Sequence, residues 1–184
     1  IGITAYTRER FAAYDLIRRI RNDIPDSLIV VGGRHFTYLA DEALKNLPEI
    51  DIVVRGEGEI TFKEICDSVY NKININEIRG VSFKEEGRIV HTPERPLEHN
   101  LDLFRNYDKD QLPDPQKYSL IAELYKIGGA KRQGFIRGFI VFTTRGCPSR
   151  CVFCSLTVAK VRYRSIDNVL NEIEEKIKIT GVRG

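Results

Sequence analysis

Residues 28–33 read LIVVGG, a short apolar run that ends in two glycines. The run is continuously apolar instead of alternating, which is typical of a parallel strand whose two faces are both covered by helices. Similar runs lie on either side of it, at residues 1–6 and 51–54. Helical patterns separate these runs, so the sequence predicts an α/β fold with a parallel sheet and crossover helices.

Apolar residues recur at helical spacing between the runs, and we predict that they face the core. They are Phe11, Tyr14, Ile17 and Ile20 in the first segment and Phe62, Ile65, Cys66, Val69 and Tyr70 in the second. Residues 80–92 predict a β-hairpin around a turn at Gly87. The hairpin is expected to close a first domain of residues 1–95.

Glycine-rich turns follow the second and third runs, at residues 32–35 (GGRH) and 55–59 (RGEGE). Ligands bind at the carboxyl edge of an open α/β sheet, and a glycine there lets the backbone approach a bulky, flat ligand. The alternative is that both segments are only tight turns of the sheet. His35 would then be an exposed turn histidine.

The second half of the chain predicts a linker and the start of another domain. The linker covers residues 96–135, and the domain covers residues 136–184. A strand at residues 139–144 precedes a cysteine-rich loop, and Ser165 is expected to cap a helix that ends near Gly181. The apolar stripe of this helix is Ile166, Val169, Leu170, Ile173 and Ile177, and its charged residues, predicted to be solvated, are Glu172, Glu174, Glu175, Lys176 and Lys178.

The cysteine-rich loop, residues 147–154 (CPSRCVFC), contains Cys147, Cys151 and Cys154. Soft thiolates select zinc or iron–sulfur clusters. A structural zinc site normally takes four protein ligands, and the only other cysteine, Cys66, is predicted to be an inert core thiol. Three thiolates on one loop therefore favour a cubane cluster with one open iron, and zinc remains the alternative.

Composition excludes several function classes. The net charge of +3, from 29 basic and 26 acidic residues, gives no argument for a nucleic-acid or lipid partner. No apolar run is long enough to span a membrane, the first residues do not read as a secretion signal, and four cysteines in this pattern fit a reducing compartment, so we expect a cytoplasmic protein. The chain begins at Ile1 and has no methionine, which predicts a fragment or a chain that lacks residues.

The strand, the CxxxCxxC loop and the aromatic residue before the last cysteine resemble the signature of the radical S-adenosylmethionine (SAM) superfamily. The resemblance implies that Cys147, Cys151 and Cys154 bind a 4Fe-4S cluster and that Phe153 packs near the adenine of SAM. It also implies reductive cleavage of SAM to a 5′-deoxyadenosyl radical, an electron donor such as flavodoxin or ferredoxin, and the start of a partial (β/α) TIM barrel.

Residues 1–59 resemble the Rossmann-like, flavodoxin-like cobalamin-binding domain that precedes the radical domain in one large subfamily. Residues 162–165 (RYRS) fit the same resemblance. The family pattern is incomplete at both ends, where a first strand and helix and most of the barrel are expected. The implied cobalamin contacts are Thr7, Gly32, Gly33, His35, Arg55, Gly56, Glu57, Gly58 and Glu59. For Glu57 and Glu59, capping of the following helix or contact with the linker is the alternative.

Together the resemblances predict a cobalamin-dependent radical SAM methyltransferase that acts on an unactivated carbon or phosphorus centre of a small molecule or peptide. One alternative is a radical SAM cyclase, rearranging or methylthio-transferring enzyme in which the first domain is only a scaffold. Another is a non-catalytic iron–sulfur or cobalamin carrier.

Overall fold

The computed structural model describes residues 1–71, 73–104, 141–149, 151–154 and 160–180, with side chains described to residue 178. The chain divides into two compact units, and the division falls between Leu97 and Glu98. Most of the predicted linker, residues 96–135, lies outside the described residues. The two units are treated separately below.

The first unit contains a five-stranded sheet in which the strands lie in chain order. The strands are β1 (Gly2–Thr4), β2 (Val30–Gly32), β3 (Ile52–Val54), β4 (Val81–Glu85) and β5 (Arg88–His91). The first three are parallel, with Ile3 opposite Val31 and Val31 opposite Val53. The predicted hairpin, β4–β5, is confirmed, and it extends the sheet because β4 pairs antiparallel with β3.

Helices cover both faces of this sheet, as the continuously apolar runs predict. They are α1 (Arg10–Asp23), α2 (Arg34–Tyr38), α3 (Ala40–Asn46) and α4 (Glu59–Asn71). Val31 and Val53 pack with α1, α2 and α3 in one core cluster. Their strand neighbours Val30 and Val54 pack with Ile65 of α4 in a second cluster. Successive residues of one strand therefore reach opposite cores.

The two predicted helical stripes are only partly buried. Ile17 and Ile65 lie in the core, but Phe11 is 64% exposed, Tyr70 is 85% exposed, and Cys66 is also exposed. The prediction of Cys66 as a core thiol is wrong. Cys66 directly follows the buried Ile65, so its side chain lies about 100° away from it around α4.

We predict that Ile17→Ala lowers the free energy of unfolding by about 2–5 kcal/mol, because its fully buried side chain leaves a cavity between α1 and the sheet. Leu16→Ala is the matched control, since Leu16 is the adjacent residue of the same helix and is exposed. It should cost less than about 1 kcal/mol. Urea unfolding of both variants measures the difference, and equal costs would contradict the assigned packing of α1.

The second unit contains a two-stranded antiparallel sheet, β6 (Thr144–Arg145) and β7 (Arg162–Tyr163), and one helix, α5 (Ile166–Thr180). Residues 139 and 140 of the predicted strand lie outside the described residues, and residues 141–143 are not part of a strand. The return strand β7 was not predicted. The Ser165 cap is confirmed, because the Asn168 backbone N–H donates to Ser165 Oγ at 3.2 Å. Gly181 lies outside the described residues.

The predicted faces of α5 are wrong in part. Ile166 and Leu170 are exposed, whereas Glu172 and Lys176, predicted to be solvated, are buried at 6% and 7% exposure. Both charges can be buried because they are paired: Glu172 forms ion pairs with Lys176 and with Arg164. No helix among the described residues is long and apolar enough to cross a membrane.

Candidate functional site

The carboxyl ends of β1, β2 and β3 meet at one edge of the sheet, because the three strands are parallel. Beyond the strands, the Ala5 backbone N–H donates to Gly32 O at 3.2 Å, and the His35 N–H donates to Ala5 O at 3.1 Å. The turn after β3 is joined to α2 by the Gly56 N–H, which donates to Thr37 Oγ1 at 3.2 Å. The structure thus brings the predicted segments 32–35 and 55–59 to this edge.

Gly33 is required at this edge by the protein's own packing. Its φ of 87° and ψ of 178° lie in a region that only glycine adopts readily. A Cβ on Gly33 would lie 2.4 Å from Thr4 Oγ1 and 2.9 Å from Ala5 O. Gly32 is different, because its Cβ would make only ordinary contact with Val54 at 3.6 Å. The close approach of β1 to the start of α2 therefore explains one of the two glycines.

In the turn at residues 55–59, one side chain bonds to the hairpin and the next residue lies beside open space. The Arg55 guanidinium donates to the carbonyl oxygens of Val81 and Thr92, so this side chain holds the hairpin at β3. Gly56 has a φ of 78°, and a Cβ there would meet no atom within 4 Å. The turn therefore leaves open space at Gly56. Glu59 lies in the first turn of α4, where its charge is favourable, in agreement with the capping alternative.

His35 lies in α2 and is buried, at 2% exposure, so the alternative of an exposed turn histidine is wrong. Its Nε2 lies 2.5 Å from the Tyr14 hydroxyl, and its Nδ1 lies 3.3 Å from Thr7 Oγ1. Burial lowers the pKa of His35, the charge of Arg10 lowers it further, and Glu42 opposes the shift. Both ring nitrogens are engaged, so His35 positions Thr7 at the sheet edge instead of offering a ready metal ligand.

We predict that acid destabilises the first unit through His35. The unfolded imidazole takes up its proton near pH 6.5 and the folded one only at lower pH. Stability is therefore full above about pH 6.5 and is lost as the pH falls towards the folded pKa. His35→Gln, which keeps a polar partner for Tyr14, should flatten the fall in melting temperature between about pH 7.5 and 5.5. The same fall in both proteins would show that other groups cause it.

The cysteine-rich loop lies in the second unit. Cys147 is half-buried, Cys151 and Cys154 are exposed, and no disulfide involves any of the four cysteines, all of which are described. The Cys154 backbone N–H donates to Cys151 O at 3.0 Å, which forms a turn, and Phe153 is 89% exposed. Within the described part of the chain, no group of three or more His, Cys, Asp or Glu side chains is close enough to hold a metal ion.

The donor set nevertheless fits an iron–sulfur cluster better than a structural zinc ion. Cys66 belongs to the first unit and is not among the residues of the loop, so the loop supplies three thiols and not four. Three thiolates within eight residues suit a cluster that keeps one iron for an external ligand.

The two ends of the loop are closed against each other at a neck formed by β6 and β7. Gly146 has a φ of 97°, and a Cβ there would lie 2.3 Å from Lys160 O. Residues 98–104 support the neck: Arg162 donates to Glu98 O at 2.7 Å, and the Ser165 N–H donates to Asp102 Oδ1 at 3.0 Å.

Sequence reasoning missed two groups of residues at these sites. Tyr14 was predicted as a core residue and not as the partner of His35. The network of Arg164, Asn168, Glu172 and Lys176 was not predicted, although its strict four-residue spacing places all four on one side of α5 and its N-terminus. That spacing is the signal from which the network could have been found.

Comparison with known proteins finds relatives that match most of the chain. Residues 1–66 match the family described as B12 binding domain. An uncharacterized methyltransferase of Pyrococcus horikoshii is 35% identical over 94% of this chain and 35% of its own length. An anaerobic magnesium-protoporphyrin IX monomethyl ester cyclase of Synechocystis is 30% identical over 80% of this chain and 27% of its own length. The chain thus spans about a third of these curated relatives.

Among solved structures, the cobalamin-dependent S-adenosylmethionine radical enzyme OxsB, with aqua-cobalamin and S-adenosylmethionine bound, shares the fold with a TM-score of 0.71. The match covers 98% of this chain and 23% of OxsB, at 19% identity. Residues 1–66 therefore match a B12-binding domain in sequence, and the chain shares its fold with OxsB.

Proposed function

We propose that the chain belongs to a cobalamin-dependent radical SAM methyltransferase and supplies its cobalamin-binding surface and its cluster ligands. The observation that carries the proposal is the combination, in one chain, of a B12-binding domain with a three-cysteine loop that is closed at its neck. Relatives named as methyltransferases support the type of reaction.

The three thiolates of Cys147, Cys151 and Cys154 hold a 4Fe-4S cluster, and Phe153 packs against SAM. When bound, the cluster supplies the electron that cleaves SAM to methionine and the 5′-deoxyadenosyl radical. The chain holds the ligand loop at its neck, where Gly146 allows the backbone to approach Lys160. A carrier such as flavodoxin or ferredoxin delivers the electron, in a reducing, cytoplasmic compartment.

The carboxyl edge of β1–β3 binds cobalamin, which when bound supplies the methyl group that is transferred. Gly56 leaves open space at this edge, and Gly32, at the end of β2, carries no side chain there. The Thr7 hydroxyl, held by His35 and Tyr14, provides a fixed polar group there. The Arg55 side chain fixes the turn at residues 55–59 through its hydrogen bond to the hairpin.

A second function is favoured by one specific observation, the 30% identity to an anaerobic magnesium-protoporphyrin IX monomethyl ester cyclase. In that alternative the cluster chemistry is retained and the product is a new ring instead of a methylated centre. The two functions share the same cysteine ligands.

The test is anaerobic reconstitution of the protein with iron and sulfide, followed by electron paramagnetic resonance (EPR) of the dithionite-reduced sample with and without SAM. We expect a 4Fe-4S signal that shifts when SAM is added. In a parallel sample, hydroxocobalamin should remain with the protein through gel filtration in a 1:1 complex. A cluster without retained cobalamin would favour a scaffold role for the first unit, and a colourless protein that binds one zinc ion would contradict the proposal.

A further inference from the structure

Arg164 connects the strand that leads into the cysteine-rich loop with the helix that follows the loop. Its backbone N–H donates to Thr143 O at 3.0 Å, and its Nη1 donates to Phe142 O at 2.9 Å. On the helix side, its Nε donates to Asn168 Oδ1 at 2.8 Å, and Nη1 also pairs with Glu172. One residue therefore bonds to the backbone just before β6 and to two turns of α5.

The network around this guanidinium is almost closed to solvent. The side chains of Arg164, Glu172 and Lys176 are 7%, 6% and 8% exposed. Burial alone would raise the pKa of Glu172, but the hydrogen bonds from Lys176 and Arg164 outweigh it and keep the pKa below its usual value. Glu172 is thus ionised at neutral pH and is a strong acceptor for both cations.

The neck of the loop depends on the part of the chain that Arg164 bonds. Thr144 pairs with Tyr163, and Arg145 pairs with Arg162, directly next to the Arg164 contacts. This ladder is only two residues long on each strand, which is too short to be stable without further bonds. The bonds from Arg164 to the carbonyl oxygens of Phe142 and Thr143 lengthen it by joining the same two segments.

We propose that Arg164 is a positioning residue for the iron–sulfur site: by closing the neck between β6 and β7, it fixes the two ends of the loop that supplies Cys147, Cys151 and Cys154 to the cluster. This inference rests on the proposed function. Arg164 does not itself bind the cluster, and it acts through the backbone on both sides of the loop.

Two variants separate closure of the neck from general stability. Arg164→Lys keeps the positive charge beside Glu172 but loses the planar fork that reaches Phe142 O and Asn168 together. Lys176→Gln is the matched control, because it removes the other cation bonded to Glu172 and leaves the contacts to the strand in place. Both substitutions weaken the buried network around Glu172, but only Arg164→Lys is expected to open the neck.

The first measurement is amide hydrogen exchange of the protein without metal. In Arg164→Lys, exchange at residues 143–146 and 160–164 should be about fivefold faster, since the lost side-chain hydrogen bond to Phe142 O is worth about 1 kcal/mol. In Lys176→Gln, exchange at these amides should match the wild type once the difference in global stability is subtracted.

The second measurement is spectroscopic. After anaerobic reconstitution, Arg164→Lys should show a broadened or altered EPR signal and a shifted midpoint potential, whereas Lys176→Gln should keep the wild-type values. Equal neck exchange in both variants, or equal spectra and potentials, would overturn the inference. If the wild type itself forms no cluster, the proposed function fails, and unchanged neck exchange in Arg164→Lys would still overturn the inference separately.

Discussion

We expect Cys147→Ala, Cys151→Ala and Cys154→Ala each to abolish assembly of the 4Fe-4S cluster, with the iron content of reconstituted protein falling from about four atoms per chain to near zero. In the proposed cluster each thiolate would anchor a different iron, so loss of any one would leave two irons without a protein ligand. The exposed positions of Cys151 and Cys154 mean that these substitutions remove no core packing. Their effect should therefore lie in the metal site and not in the fold.

Cys66→Ala is the internal control. Cys66 is exposed on α4 of the first unit and is expected to contribute nothing to the cluster. Iron and sulfide analysis, together with EPR of the reduced samples, compares the four variants, and circular dichroism checks their fold. Loss of the metal in Cys66→Ala as well would indicate a four-cysteine site, which is the ligand number of structural zinc.

The sheet of the first unit was predictable because its strands carry a strong local signal. Parallel strands covered on both faces must be apolar at every position, and residues 29–31 and 52–54 meet that condition. The hairpin was predictable for a different reason. Its turn places both Glu86 and Gly87 at positive φ, as a two-residue hairpin turn of this type requires, and a glycine at that position is a readable signal.

The burial of the helices was less predictable, because amphipathic spacing shows that a helix has an apolar face but not how far the opposing surface extends. Phe11 lies in the first turn of α1, where it is exposed and the Arg10 guanidinium covers its ring at 4.1 Å. On α5, the charge pattern was misread as a solvated face. Glu172 can be buried because Lys176, one turn later in α5, and Arg164, just before the helix, both pair with it, and their spacing in multiples of four residues is the signal that was missed.

At the sheet edge, sequence placed the turns correctly but not the histidine. Glycines at strand ends are a local signal, and both predicted segments follow a strand, although Arg34 and His35 already belong to α2 and Glu59 to α4. The environment of His35 depends on Tyr14 and Thr7, more than 20 residues away in sequence, and only the packing of α1 against α2 brings them together. No spacing rule within a single segment could have predicted that arrangement.

Gly33→Ala should be among the most destabilising single substitutions in the first unit. Its backbone lies in a region that costs a non-glycine residue about 1–3 kcal/mol. The new Cβ would also overlap Thr4 Oγ1 and Ala5 O, and overpacking of this kind costs about 1–3 kcal/mol more. We therefore expect a loss of about 2–6 kcal/mol in the free energy of unfolding, with loss of cobalamin retention because β1 and α2 are forced apart.

Two glycines of the same edge are matched controls for the two causes. Gly56→Ala carries a positive φ but meets no atom within 4 Å, so it should show only the backbone cost of about 1–3 kcal/mol. Gly32→Ala meets Val54 at an ordinary 3.6 Å and should change stability by less than about 1 kcal/mol. Urea unfolding gives the three stabilities, and gel filtration with hydroxocobalamin gives retention. A Gly32→Ala protein that is stable but retains no cobalamin would indicate that the ligand approaches the backbone there. Equal losses of unfolding free energy in Gly33→Ala and Gly56→Ala would contradict the contact of Gly33 with Thr4.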